Sequence, residues 1–176
     1  MRKVHLYDES AEVYHQRYLQ IQRTKYHAAT PFLQNGPLLD VGIGTGIGLP
    51  SIAKFTPTIG VDGAIEMLRI AFQQVQCNLQ WQTSISFICA SAEALPFRNH
   101  VFSTVVSITV IQNLNNVKAG ADELQRVGQT GGILVVTTLA KALALKELER
   151  FFDPSLQIIA HLEQIANEDD GLIFQL

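Results

Sequence analysis

The sequence predicts an α/β domain built on a doubly wound, mostly parallel seven-stranded sheet with one antiparallel strand. Three observations predict it. Short apolar runs alternate with helix-period stretches along the chain. A glycine-rich turn follows the first of those runs, and the last two runs face each other across an acidic turn. With 176 residues, 47% hydrophobic and 16% charged, the chain has the apolar content of one packed core and too few charges for disorder.

Residues 8–33 place Ala11, Tyr14, Tyr18, Ile21 and Ala28 at helical spacing, a stripe broken by Lys25, and the stretch stops between Pro31 and Pro37. It reads as an N-terminal helical lid, residues 1–33, on a core of residues 37–176, the two forming a single domain over 1–176. Pro37-Leu38-Leu39-Asp40-Val41-Gly42 is too short for a helix and suits a buried parallel strand, with a helix expected after it near Thr45. Residues 58–62 form the second strand, 64–75 a helix, 84–89 the third strand and 101–108 the fourth. The link 90–100 is near the lower limit for a parallel crossover, so it is expected as a loop with at most one helical turn. A helix over 119–127 stops at Gly128 and the turn pair Gly131-Gly132. Strand 132–138, helix 141–152 and strands 156–162 and 172–176, around the acidic turn 167–171, complete the chain.

Net charge is -3, so no global positive field draws the chain to nucleic acid. The first 30 residues depart from this, with Arg2, Lys3, Arg17, Arg23 and Lys25 against Asp8, Glu9 and Glu12. Cys77 and Cys89 have no second cysteine or histidine at ligand spacing, so no metal site is expected and both read as reduced core thiols. His5, His15, His27, His100 and His161 share no ligand spacing either and read as surface or loop residues. There is no apolar stretch of signal-peptide type in residues 1–30 and no run of membrane-spanning length, so a cytoplasmic protein is expected.

The turn Asp40-Val41-Gly42-Ile43-Gly44-Thr45-Gly46 carries the chemistry. In an open doubly wound sheet the ligand lies beyond the carboxyl ends of the strands, and glycines let the backbone approach it closely. A dinucleotide G-x-G-x-x-G would need glycine at 47 or 49, where Ile47 and Leu49 stand, and a P-loop Gly-Lys-Ser/Thr is missing. Pyrophosphate ligands such as NAD are disfavoured. Asp62 closes the second strand, where a carboxylate accepts from both hydroxyls of a ribose.

These residues, together with Ala92-Glu93-Ala94-Leu95-Pro96-Phe97, resemble the class I S-adenosylmethionine-dependent methyltransferases, in the branch of the ubiquinone and menaquinone biosynthesis enzymes. The resemblance covers roughly residues 7–140 and implies a Rossmann-like core that uses S-adenosylmethionine and releases S-adenosylhomocysteine. It implies that Gly42, Gly44 and Gly46 pass under the methionine moiety, that Asp40 holds its amino group and that Asp62 clamps the ribose. It also implies that Ser91 and Ala92 meet the adenine, with Ser107, Tyr14 and Arg17 completing the cofactor site. The competing structural roles are a helix cap for Asp62, a buried acceptor of loop amides for Asp40, a turn cap for Ser91 and helix-face packing for Tyr14 and Arg17.

The sequence departs from the family at three places. Ser91 stands where relatives usually have Asp, Ser103 stands where they often have Asp, and Ile111-Gln112-Asn113-Leu114 replaces leucine, two histidines and leucine. The Asn-Pro-Pro-Tyr grip of some amino-methylating relatives is absent, and Ser107-Ile108-Thr109-Val110 stands there instead. No dedicated base is visible, leaving Thr109, Gln112 and Asn113 as candidates to orient an acceptor. With only one helix between 138 and 156 the pocket is expected to be open. That suits a macromolecular acceptor, tRNA or protein, or a partner subunit; a small apolar metabolite is the alternative within enzymes, and a non-catalytic scaffold the alternative outside them.

Overall fold

A computed structural model of the chain describes residues 2–176, and side chains from residue 11 onward. Arg2, Lys3, His5, Asp8 and Glu9, named in the charge and histidine readings, therefore have side chains outside the described residues. The order is α1 (Arg2–Ala29), β1 (Leu38–Val41), α2 (Leu49–Ile52), β2 (Thr58–Asp62), α3 (Ile65–Gln76), β3 (Ile85–Cys89) and β4 (Phe102–Ser107). After these come α4 (Val117–Val127), β5 (Gly128–Leu139), α5 (Leu145–Glu149), β6 (Gln157–Ile165) and β7 (Asp169–Gln175).

The seven strands form one sheet in the order β3-β2-β1-β4-β5-β7-β6. Neighbours from β3 to β5 pair in parallel, and β7 runs antiparallel to both β5 and β6. The strands alternate even though they are apolar on both faces. Leu38, Val106, Ile133, Val135 and Ile173 pack on one face with Tyr26, Ala29, Leu49, Ile52, Leu68 and Val75, which come from α1, α2 and α3. Leu39, Val105, Leu134, Val136, Leu172 and Phe174 pack on the other with Ala121, Leu124, Val127 and Leu148, which come from α4 and α5. Parallel strands need crossovers, and here those crossovers bury both faces.

Several elements differ from the sequence-based expectation. The helix after β1 is one turn at Leu49–Ile52 rather than starting near Thr45, because the glycine turn continues through Gly46 and Gly48 before helical bonds begin. Gly131 and Gly132 are not a turn but an irregularity inside β5, where the register to β4 shifts between Phe102 and Thr104. The helix expected over 141–152 covers only Leu145–Glu149. The acidic turn is shorter than read, since Asp169 and Asp170 pair in β7 and the reversal is made by 166–168, with Ala166 and Asn167 at positive φ. Residues 90–100, by contrast, are the expected loop. Cys77 and Cys89 are exposed, not core thiols.

Helix α1 is the largest revision. Its inward stripe is Ala11, Gln22, Lys25, Tyr26 and Ala29, so Lys25 belongs to the buried face rather than interrupting it. From Gln22 onward the helix is core, on the face that bears Val135 and Ile173. Among the described residues no helix is long and apolar enough to cross a membrane, and no group of His, Cys, Asp and Glu is placed to hold a metal ion.

Candidate functional site

Strand order reverses between β1 and β4, and the crevice opens there, past the carboxyl ends of β1 to β4. It encloses about 560 Å³, within the usual range for a small-molecule site. It is lined by Gly42 and Gly44 of the glycine turn, by Asp62, Gly63 and Met67 with Tyr14 packed against Ala64 and Met67, by Ser91, Ala92 and Glu93 after β3, and by Ile108, Val110, Asn113 and Leu114 after β4.

The glycine turn is held by a carboxylate. Asp62 Oδ2 accepts from the Gly44 amide at 2.8 Å and Oδ1 from the Ala64 amide at 2.9 Å, tying the turn to the approach of α3. The N-cap of α3 is Ala64, and the Asp62–Ala64 bond is an Asx turn leading into the helix, so Asp62 pins the loop without being the cap residue itself. The glycines divide the work. A Cβ on Gly42, at φ +82°, would lie 2.1 Å from Val110 Cγ2, whereas one on Gly44 meets nothing within 4 Å and would project into open space. Gly46 instead makes room for Leu49 and Ala71, away from the pocket lining.

Asp40 is fully buried one strand position before the turn and does not line the pocket. Its Oδ2 accepts from the Tyr26 hydroxyl at 2.8 Å, and its Oδ1 has no partner among the described residues. Burial raises its pKa to about 7, against the lowering effect of the Tyr26 hydrogen bond and with added repulsion from Asp62. Burial and the facing Asp40 likewise push Tyr26 well above the ordinary tyrosine range.

Ser91 and Ala92 line the pocket; the Ser91 hydroxyl accepts from the Glu93 amide at 3.1 Å, a turn cap that leaves its own proton to donate. Glu93 Oε1 in turn accepts from the amides of Asn115 at 2.6 Å and Asn116 at 3.2 Å. The rest of the Ala92–Phe97 segment is locked by Glu123 and Arg126. Glu123 accepts from Leu95 N at 2.6 Å, and Arg126 donates to the carbonyls of Leu95 and Phe97. That guanidinium holds the Glu123 carboxyl below its ordinary pKa. The motif residues thus shape one wall of the crevice.

Of the acceptor-side candidates, Thr109 and Asn113 line the pocket and Gln112 does not. Gln112 Nε2 and Asn113 Nδ2 both donate to Thr109 O, at 2.9 and 3.3 Å. Tyr14 reaches the pocket, its hydroxyl accepting from Gln22 at 3.1 Å. Arg17 does not: it is exposed and lies 5.5 Å over the Tyr18 ring. Ser107 is buried behind the wall. The sequence reading missed four residues near the site. Tyr26 and Lys25 look like surface positions of a lid when read alone, Asp169 like part of a turn, and His15 like a surface histidine. His15 Nδ1 is 2.8 Å from Thr45 Oγ1, and burial and Arg23 lower its pKa.

The comparisons with known proteins agree with this geometry. A family described as a methyltransferase domain matches residues 39–136, from β1 into β5. A demethylmenaquinone methyltransferase of Porphyromonas gingivalis is 32% identical over 111 residues, covering 61% of this chain and 45% of the relative. A malonyl-(acyl-carrier protein) O-methyltransferase of Gallionella capsiferriformans is 34% identical over 146 residues, covering 78% of this chain and 49% of the relative. The chain thus spans about half the length of these curated relatives. A structure of a SAM-dependent methyltransferase from Aquifex aeolicus superposes with a TM-score of 0.73 over 90% of this chain and 91% of that one, at 16% identity, and shows the shared fold. With the glycine turn, the acid at the end of β2 and the strand order all in place, the chain belongs to the class I S-adenosylmethionine-dependent methyltransferases, through their methyltransferase domain family.

Proposed function

We propose that the chain transfers a methyl group from S-adenosylmethionine to a small, partly apolar acceptor, through an oxygen or carbon nucleophile that ionises readily. The observation that carries this reading is the crevice itself, in which the carboxylate-pinned glycine turn and Asp62 share one pocket with the apolar side chains of Met67, Ile108, Val110 and Leu114 and the ring of Tyr14. The name of one relative, a demethylmenaquinone methyltransferase, points to an acceptor of this kind.

The residues fit the cofactor. Gly44 leaves open space where a side chain would stand, Asp62 offers a carboxylate at the rim for ribose hydroxyls, and Ser91 and Ala92 present a small surface to the adenine. The unpartnered Asp40 Oδ1, buried just before the turn, offers an acceptor for an ammonium group. S-adenosylmethionine, when bound, brings a methyl group already activated by its sulfonium. What remains for the chain is alignment, water exclusion and orientation of the nucleophile. The apolar walls exclude water and the Asn113 amide orients the acceptor. Thr109 is unsuited to act as a base, since its hydroxyl is engaged by Lys25 and Asp169. The acceptor therefore has to lose its proton easily.

A tRNA acceptor is less favoured than the sequence alone suggests. Lys25 is sealed in an ion pair, and among the described residues of the N-terminal arm Arg17 and Arg23 are the basic groups at the surface. Calorimetry with S-adenosylmethionine, S-adenosylhomocysteine and NAD tests the cofactor: the first two bind and NAD does not. Asp62→Ala weakens the binding by about 1–3 kcal/mol, the cost of unpaired buried hydroxyls. Unchanged affinity would limit Asp62 to pinning the loop. Labelled cofactor supplied with separate metabolite, tRNA and protein pools tests the acceptor. Label confined to tRNA or protein overturns the small-acceptor reading, and absence of cofactor binding favours a scaffold.

A further inference from the structure

A buried ion pair stands directly behind the pocket wall. Lys25 of α1 and Asp169 at the start of β7 are 1% and 0% exposed, with Lys25 Nζ 2.7 Å from Asp169 Oδ1 and 3.9 Å from Glu168 Oε2. Replacing such a pair by apolar groups is often neutral or stabilising, so stability alone explains its presence poorly. Its contacts suggest another role. Lys25 Nζ donates to Thr109 Oγ1 at 3.0 Å, and the Thr109 hydroxyl donates to Asp169 Oδ2 at 2.5 Å. Thr137 completes the ring: its hydroxyl donates to Asp169 Oδ2 at 2.8 Å and accepts from the Thr109 amide at 3.0 Å.

Thr109 needs that hold. Its φ is +62°, a left-handed conformation that a β-branched residue adopts at a real cost, and such strain persists where the surroundings over-determine it. The next residue, Val110, lines the pocket and presses on Gly42, where a Cβ would fall 2.1 Å from Val110 Cγ2. The conformation of Thr109 thus sets where Val110 stands between Gly42 and the pocket.

We propose that Lys25 and Asp169 are positioning residues of the methyl-transfer pocket, holding Thr109 in its left-handed conformation so that Val110 and Gly42 meet in the geometry that receives the cofactor. The proposal rests on the cofactor reading above. Beside the direct contact of Tyr14, it gives α1 a second part in the site, through its buried half and the contact of Lys25 to the sheet.

The test is binding of S-adenosylhomocysteine to the full chain by calorimetry, beside its thermal unfolding midpoint. Lys25→Met with Asp169→Asn removes both charges together, keeps the volume and leaves an acceptor for Thr109. It should fold with a midpoint close to the unaltered chain and bind about tenfold more weakly. Thr109→Gly adopts positive φ without help, so adding the two charge-removing changes to it should cost much less than tenfold. Thr137→Val is isosteric, removes the hydroxyl that bridges Asp169 and the Thr109 amide and leaves both charges in place; it covers the case in which the double variant fails to fold, and should weaken binding several-fold. Full affinity in the double variant, or in Thr137→Val when the double variant does not fold, overturns the proposal. An equal loss with and without Thr109→Gly overturns it too. No binding by the unaltered chain overturns the cofactor reading and this proposal with it.

Discussion

Tyr26→Phe isolates the contact between α1 and the end of β1. It deletes one hydroxyl, leaves the ring that fills the space over Gly48, and takes from Asp40 the hydrogen bond at 2.8 Å that is its described side-chain partner. The size of the effect depends on pH. Asp40 has its pKa raised from 3.8 to about 7, so between those values the folded chain keeps a proton that the unfolded chain has released. Stability therefore falls as pH rises through that window, by an upper bound of about 4 kcal/mol at about 1.4 kcal/mol per unit. Tyr26 opposes this, since its hydrogen bond favours the ionised carboxylate. At pH 5, with Asp40 protonated, Tyr26→Phe should cost about 0.5–1.5 kcal/mol. At pH 8, with a buried carboxylate left unpaired, it should cost about 1.5–3 kcal/mol. Tyr26 itself stays a donor across this range because its own pKa is raised. Urea unfolding at pH 5, 6.5 and 8, with Asp40→Asn and the double variant completing a cycle, measures these terms. In the Asp40→Asn background the cost of losing the hydroxyl should be small and flat with pH. A cost that does not grow with pH in the native background, or one that is the same in both backgrounds, would refute the assignment.

Gly42→Ala should lower the unfolding midpoint and weaken S-adenosylhomocysteine binding together, because a new Cβ meets Val110. Gly44→Ala, with open space around it, should cost only about 1–2 kcal/mol of backbone strain while placing a methyl group in the pocket, so that binding falls more than stability. Thermal unfolding and calorimetry on both variants separate the two roles. Deleting residues 1–30 should yield no folded domain by heteronuclear NMR, since it uncovers Ile133, Val135 and Ile173 and leaves Asp40 and Asp169 buried without Tyr26 and Lys25. A folded truncation with merely weakened cofactor affinity would return α1 to the role of a lid.

The sequence by itself determined the sheet and the residues that line the glycine-turn side of the pocket. Each depends on neighbours along the chain: strand-length apolar runs between glycines, three glycines in one turn, an acid closing the next strand, and the Ala92–Phe97 segment. Local periodicity was enough to give seven strands and a closing antiparallel hairpin. It misjudged Gly131-Gly132, an irregularity within β5 whose backbone bonds to Leu176, and Asp169-Asp170, whose pairing with β5 extended the ladder. Tertiary structure alone decided the inward face of α1. A lysine inside an apolar stripe reads as a solvated break, because burying an ammonium is costly unless a carboxylate faces it, and that carboxylate, Asp169, comes from the other end of the chain. The same holds for Tyr26 on Asp40 and for the left-handed Thr109. No residue within a few positions announces them, since the groups that make them stable meet only when α1, β4, β5 and β7 close on one another.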